Sequence, residues 1–111
     1  MDADAVRGHL ESLVLAVLEA EPRHGYAVIE AVRERTEGQL ALNTGSVYPA
    51  LRRLERAGQV RGAWSMVDGR RRRTYTLTRS GSAELAAHRA RWQEFTSVVG
   101  GLLGSAPESG R

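Results

Sequence analysis

The run Leu42-Asn43-Thr44-Gly45-Ser46-Val47-Tyr48-Pro49-Ala50-Leu51-Arg52-Arg53-Leu54-Glu55-Arg56-Ala57-Gly58 decides how this chain is read. Val47, Ala50, Leu51 and Leu54 fall at i, i+3, i+4 and i+7, the spacing of one buried helix face. Ser46, Pro49, Arg52, Arg53 and Arg56 occupy the other face. Gly58 ends the helix, because glycine adopts the left-handed cap conformation without steric cost. Pro49 limits where the helix begins. With Ser46 as N-cap, Pro49 lies at the third helical position, where its missing N–H costs nothing. With a start at Asn43 or Thr44, Pro49 sits in the second turn and must distort it. Both starts remain open at this level.

Downstream, residues 60–67 and 73–77 read as two short strands, with Trp64 and Met66 on one side of the first and Tyr75 and Leu77 on one side of the second. Asp68-Gly69 between them is a strong two-residue hairpin signal. The arginines Arg70, Arg71, Arg72 and Arg73 crowd its tip. Upstream, Leu10, Leu13, Val14, Val17 and Leu18 mark an amphipathic helix over residues 6–20, stopped by Pro22. A second helix over residues 26–35 buries Val28, Ile29 and Val32, and Gly38 closes it.

Charge is segregated along the chain. Nine of the sixteen basic residues lie between Asn43 and Arg79, against two acids, Glu55 and Asp68, so this stretch carries about +7. The remaining seven arginines face eleven acids, and the whole chain nets +3. Every basic residue is arginine, whose planar fork suits phosphate oxygens and guanine edges. A mildly basic protein is thus an acidic body with one strongly basic stretch, the footprint of a nucleic-acid-binding face. The bland alternative for Arg52, Arg53 and Arg56 is a solvated helix face, with Arg52 and Arg56 able to pair with Glu55. Four arginines at one turn fit that alternative less well, because like charges repel unless something anionic visits.

Helix, helix, arginine-faced helix and hairpin make a winged helix-turn-helix, in which the third helix enters the major groove. Small polar residues at its start, Asn43, Thr44, Gly45 and Ser46, allow close approach to base edges, and Arg52, Arg53 and Arg56 stand ready for phosphates. Arg70, Arg71 and Arg72 are placed to reach a neighbouring minor groove. Thr78 reads as the N-cap of a last helix running to about Leu103. On that helix Leu85, His88, Trp92, Phe95, Val99 and Leu102 recur at spacings of three and four, close to a heptad seam, with Glu84, Arg89, Arg91 and Glu94 lying off it. Such a seam needs a partner, and a second copy of the chain is the expected one. The expected fold class is mainly α with a small β-hairpin. A winged helix-turn-helix DNA-binding domain is expected over 1–78, a C-terminal dimerisation helix over 79–103, and a disordered tail over 104–111.

Other chemistries find little support. The chain has no cysteine, hence no disulfide, thiolate metal site or cysteine nucleophile. His9, His24 and His88 lack metal-ligand spacing, and neither a glycine-rich phosphate loop nor a catalytic serine, histidine and acid set is present. No enzyme, metal or cofactor is therefore expected. The start is acidic and the longest apolar run, Leu13 to Leu18, is too short for a signal or a membrane span, so a cytoplasmic protein with no membrane partner is expected.

His24-Gly25-Tyr26, the run from Leu42 to Glu55, Gly58, Gly69-Arg70-Arg71-Arg72, and Tyr75-Thr76-Leu77-Thr78 with Gly81 together resemble the PadR family of transcriptional regulators. The resemblance covers residues 6–103 in unbroken order. It implies a winged-helix homodimer, usually a repressor, bound to double-stranded DNA at an inverted repeat, in the short subfamily with a single C-terminal helix. It places Tyr48 near the start of the recognition helix, steadying it against the DNA backbone, with a half-buried packing role as the alternative. Tyr26 is placed close to a phosphate, with core packing as its alternative, and Tyr75 in the wing-strand core. Thr74 departs from the family, where an aromatic often precedes Tyr75. The resemblance further implies that paired Trp92 rings could line a flat pocket for a planar aromatic small-molecule effector, against plain dimer packing of Trp92 and Phe95. A protein-interaction module, whose basic face meets an acidic protein, is the reading from a different class.

Overall fold

The structure, a computed structural model, describes residue 6 and residues 8–104. The elements run α1 (Leu10–Ala20), β1 (Arg23–His24), α2 (Gly25–Arg35), α3 (Thr44–Arg56), β2 (Val60–Val67), β3 (Arg70–Leu77) and α4 (Arg79–Leu103). Helix α1 starts four residues later than its apolar pattern suggests, because Gly8 turns the chain with φ +85° just before it. Of the tail expected over 104–111, residues 105–111 lie outside the described part.

One core holds the three short helices and the base of the sheet together. Leu15, Leu51, Leu54, Val14, Val28, Val47 and Val60 are its largest fully buried side chains. The four expected core positions of α3, Val47, Ala50, Leu51 and Leu54, are all buried, so the 3.6-residue period was a sound guide there. No buried polar or charged side chain interrupts this core among the described residues.

The sheet has three strands rather than a bare hairpin, in the order β1-β3-β2 and antiparallel throughout. Two residues after Pro22 suffice for β1, with Arg23 opposite Tyr75 and His24 opposite Thr74. No periodicity can announce so short a strand. On the other side β2 pairs along the whole of β3, from Val60 opposite Leu77 to Val67 opposite Arg70. Strand β3 therefore begins at Arg70, three residues earlier than expected. Thr74 serves the strand differently from an aromatic, sharing a 2.6 Å hydroxyl hydrogen bond with Ser65.

Thr78 caps α4, as its Oγ accepts from the Gly81 amide at 3.1 Å. The same hydroxyl donates to the Gly58 carbonyl at 2.6 Å, and the Thr78 amide donates to the Gln59 carbonyl at 3.1 Å. One residue thus ties the start of α4 to the end of α3. Only Gly81 and Leu85 of α4 are buried. At 1.5 Å per residue the helix is about 37 Å long, which exceeds the 28 × 26 Å cross-section of the molecule and helps stretch it to 50 Å.

Candidate nucleic-acid interface

The start of α3 is decided by a side chain. Asn43 is the N-cap, and its Oδ1 accepts from the Ser46 amide at 2.9 Å. The helix therefore begins at Thr44, before Ser46, and Pro49 lies inside it. Pro49 has no N–H to donate to the Gly45 carbonyl one turn back, and Gly45 is exposed, so the orphaned acceptor is not buried. Asn43 and Thr44 are exposed at the tip, while Ser46, Tyr48 and Pro49 are half-buried. With one lone pair of its oxygen committed to the cap, Asn43 keeps its NH2 and the second lone pair for a ligand.

The α3 arginines divide into two kinds. Arg52 and Arg56 are exposed and have no ion pair or hydrogen bond among the described residues. Arg53 Nε instead donates to Glu11 Oε2 of α1 at 2.6 Å, both side chains being about half exposed (49% and 44%). Glu55 does not pair with Arg52 or Arg56, as its sequence neighbourhood suggests. It accepts from Arg73 Nη2 of β3 at 2.6 Å. This hydrogen bond raises the already high pKa of Arg73. Gly62 makes it possible, since a Cβ there would lie 2.8 Å from the Arg73 Nε.

The four tip arginines likewise meet different surroundings. Asp68 and Gly69 both have positive φ, 52° and 75°, the two-residue turn that matches strand twist. Arg70 is exposed. The Arg71 guanidinium lies 4.6 Å from the Trp64 ring centroid. Arg72 is half-buried, with its charge acting on His24. Arg73 belongs to the clamp with Glu55. Trp64, 56% exposed and stacked with arginine, had no signal in the sequence beyond its place in an alternating strand.

The two tyrosines separate. Tyr48 packs over the start of α2, where a Cβ on Gly25 would meet its ring at 2.5 Å. Tyr26 is 47% exposed, so core packing is not its role. Tyr75 is buried in the sheet, as expected. His24 caps α2 by accepting from the Ala27 amide at Nδ1, 3.3 Å. Burial first, and then the charge of Arg72, holds its pKa below the ordinary histidine value. A lowered folded-state pKa means that the fold favours the neutral ring, the form that can accept. Its contribution to stability is therefore present above about pH 6.5 and is lost as the pH falls through the folded-state value. Denaturant midpoints measured from pH 7.5 down to 5.5 are expected to fall more for the native chain than for His24→Asn, which keeps a cap without a titration in that window.

The α4 seam also divides. Leu85 is only 2% exposed and belongs to the core of its own chain, a correction to its place in a dimer seam. His88 shares a 3.4 Å hydrogen bond with His9 of α1, and Trp92 meets the His9 ring edge-on with centroids 5.2 Å apart. Beyond Trp92 the helix leaves the body. Trp92 is 48% exposed, Phe95 and Leu102 are more so, and Val99 is half-buried. Trp92 and Phe95 stack with centroids 6.1 Å apart. No described helix is long and apolar enough to cross a membrane.

Residues 14–87 match the transcriptional regulator PadR-like family. The fold is similar to that of a PadR family transcriptional regulator from Eggerthella lenta, with TM-score 0.80 and 30% identity, covering 93% of this chain and 88% of that one. A PadR family transcription regulator from Clostridium difficile superposes with TM-score 0.77 at 30% identity, covering 86% of this chain and 99% of that one. The transcriptional regulator Rv3488 of Mycobacterium tuberculosis is 36% identical over 80 residues, which are 71% of this chain and 62% of that protein. These similar proteins are transcriptional regulators. With an arginine-faced helix beside an arginine-tipped wing on the fold they share, the chain belongs to the PadR-like family of transcriptional regulators.

Proposed function

We propose that the protein is a homodimeric repressor that binds an inverted-repeat operator through α3 and the wing, and that a planar aromatic ligand at the α4 interface releases it. Arg52 and Arg56, exposed and without an ion pair among the described residues, support the DNA contact most directly together with the wing arginines. Tyr26, Asn43, Thr44 and Ser46 are offered as close contacts, with Arg53, Arg70, Arg71 and Arg72 for phosphates. The apolar half of α4 from Trp92 to Leu103, exposed in the single chain, supports pairing with a second copy. A two-fold pair would set two α3 helices about one DNA turn apart, roughly 34 Å. Soluble expression in the cytoplasm is part of the same reading.

The α1 contacts supply a route between the two ends. His9 touches α4 through His88 and Trp92, and two residues on Glu11 holds Arg53 of the recognition helix. A ligand that displaces Trp92 shifts the first turn of α1 and, with it, the anion competing for Arg53. That is a differential contact between DNA-competent and incompetent states.

Selection of bound duplexes from a random pool tests the proposal, and an enriched inverted repeat is the expected result. No enrichment would leave the basic face to an acidic protein. A second measurement concerns charge alone. Arg53→Ala and Arg71→Ala are each expected to lower the slope of log affinity against log salt by about 0.9, the value of one phosphate contact. Glu11→Gln, by freeing Arg53, is expected to tighten binding to any duplex a few-fold, on the scale of an exposed ion pair. Unchanged slopes for both arginine variants would remove them from the phosphate contacts.

A further inference from the structure

Trp64 and Met66 expose an apolar patch on the most basic part of the molecule, at 56% and 68%. They follow Val60 and Gly62 along one face of β2, and the core ends where Gly62 lies opposite Tyr75. Trp64 stands one step farther out, with Arg73 directly across the ladder and Arg71 diagonal to it. Both guanidiniums lie against the indole, at 4.6 Å for Arg71 and 5.7 Å for Arg73. The face is turned toward α3, because Arg73 reaches Glu55 of that helix. Arg52 and Arg56, without an ion pair among the described residues, lie on α3 one turn before Glu55 and one residue after it.

We infer that Trp64 is itself a DNA-contacting residue, packing its indole on the sugar-phosphate strand that runs between the groove entered by α3 and the groove reached by the wing tip. This inference rests on the DNA-binding reading above. Three observations choose the partner. The indole is flanked by Arg71 and Arg73, of which Arg73 is paired with Glu55 and Arg71 has no ion pair among the described residues, so an anionic surface is favoured. Deoxyribose is the apolar part of that surface, and an aromatic face beside a guanidinium meets sugar and phosphate together. Stacking on the indole also restricts the Arg71 rotamers, so its fork is partly ordered before the phosphate arrives.

The test uses the full chain, a mixed-sequence duplex of about three helical turns and, as a second probe, polyglutamate. Trp64→Ala is expected to weaken duplex binding roughly tenfold at every salt concentration while the salt slope stays the same, because an apolar contact releases no counterions. Trp64→Phe is expected to recover much of the loss. Thermal unfolding of both variants should match the native chain, since the side chain lies outside the core. Native affinity in Trp64→Ala would overturn the contact. A slope reduced as in Arg71→Ala would overturn it as well, because Trp64 would then act only by holding that arginine. If the native chain ignored duplex and bound polyglutamate through Trp64, both this inference and the DNA-binding reading would fall. Failure of Trp64→Ala alone leaves that reading intact.

Discussion

Replacing Trp92 and Phe95 together by glutamate is expected to turn the proposed dimer into monomers and to cost on the order of a hundredfold or more in affinity for a selected inverted repeat. Both rings are exposed in the single chain and stack on each other where α4 leaves the body. In a two-fold seam the double variant would bury four unpaired carboxylates. Each would lose its hydration without gaining a counter-charge, a penalty of several kcal/mol per ion. A monomer then holds only one half-site, and specific sites exceed random DNA by about a thousandfold or more largely because both halves bind at once. Analytical ultracentrifugation reads the mass, and titration of the selected duplex reads the affinity. Binding to random DNA should fall far less, because the arginines of α3 and the wing are untouched. A variant that remains a dimer would show that another surface pairs the chains.

Gly81→Val is expected to destabilise the fold strongly. A Cβ at Gly81 would stand 2.0 Å from the Gln59 carbonyl oxygen and 2.7 Å from Leu77 Cδ1. The nearer atom is backbone, so no side-chain rotation can relieve the clash. The Gly81 amide is also the partner of the Thr78 cap, and the Thr78 amide donates to that same Gln59 carbonyl. Moving α4 outward breaks both bonds and withdraws Leu85 from the core. Overpacking of this kind costs roughly 3 kcal/mol, which for a chain of this size lowers Tm by about 10–20 °C. Calorimetry checks the loss. Gly101→Val, on the same helix with nothing within 4 Å of its Cβ, is the control expected to leave Tm within a few degrees of the native value.

Much of the fold was legible because its helices are amphipathic. Leu10 to Leu18 and Val47 to Leu54 repeat at the helical period, and Asp68-Gly69 announces a turn that few other dipeptides favour. The missing strand β1 shows the limit of such signals. Arg23 and His24 are strand only because β3 passes alongside them, and two residues cannot carry a period. The start of α3 was undecidable for a similar reason. Asn43 and Ser46 are both good N-caps, and only the folded geometry aims the Asn43 oxygen at the Ser46 amide.

The site was legible in charge and not in pairing. The sequence by itself determined where the arginines cluster, which face of α3 is polar and which residues on α4 are large and apolar, since these depend on residue type and spacing alone. Tertiary structure decided which of them are free. It gave Arg53 to Glu11 from 42 positions away and Arg73 to Glu55 from 18. It took Leu85 into the core, set Trp92 against His9 and laid Arg71 on Trp64. Charge and hydrophobicity belong to each residue wherever it sits, but an ion pair or a buried face exists only between residues brought together by the folded chain. For that reason an arginine-rich stretch of sequence became, in the structure, arginines of different kinds: Arg53 and Arg73 paired with acids, Arg71 laid on Trp64, and Arg52 and Arg56 exposed.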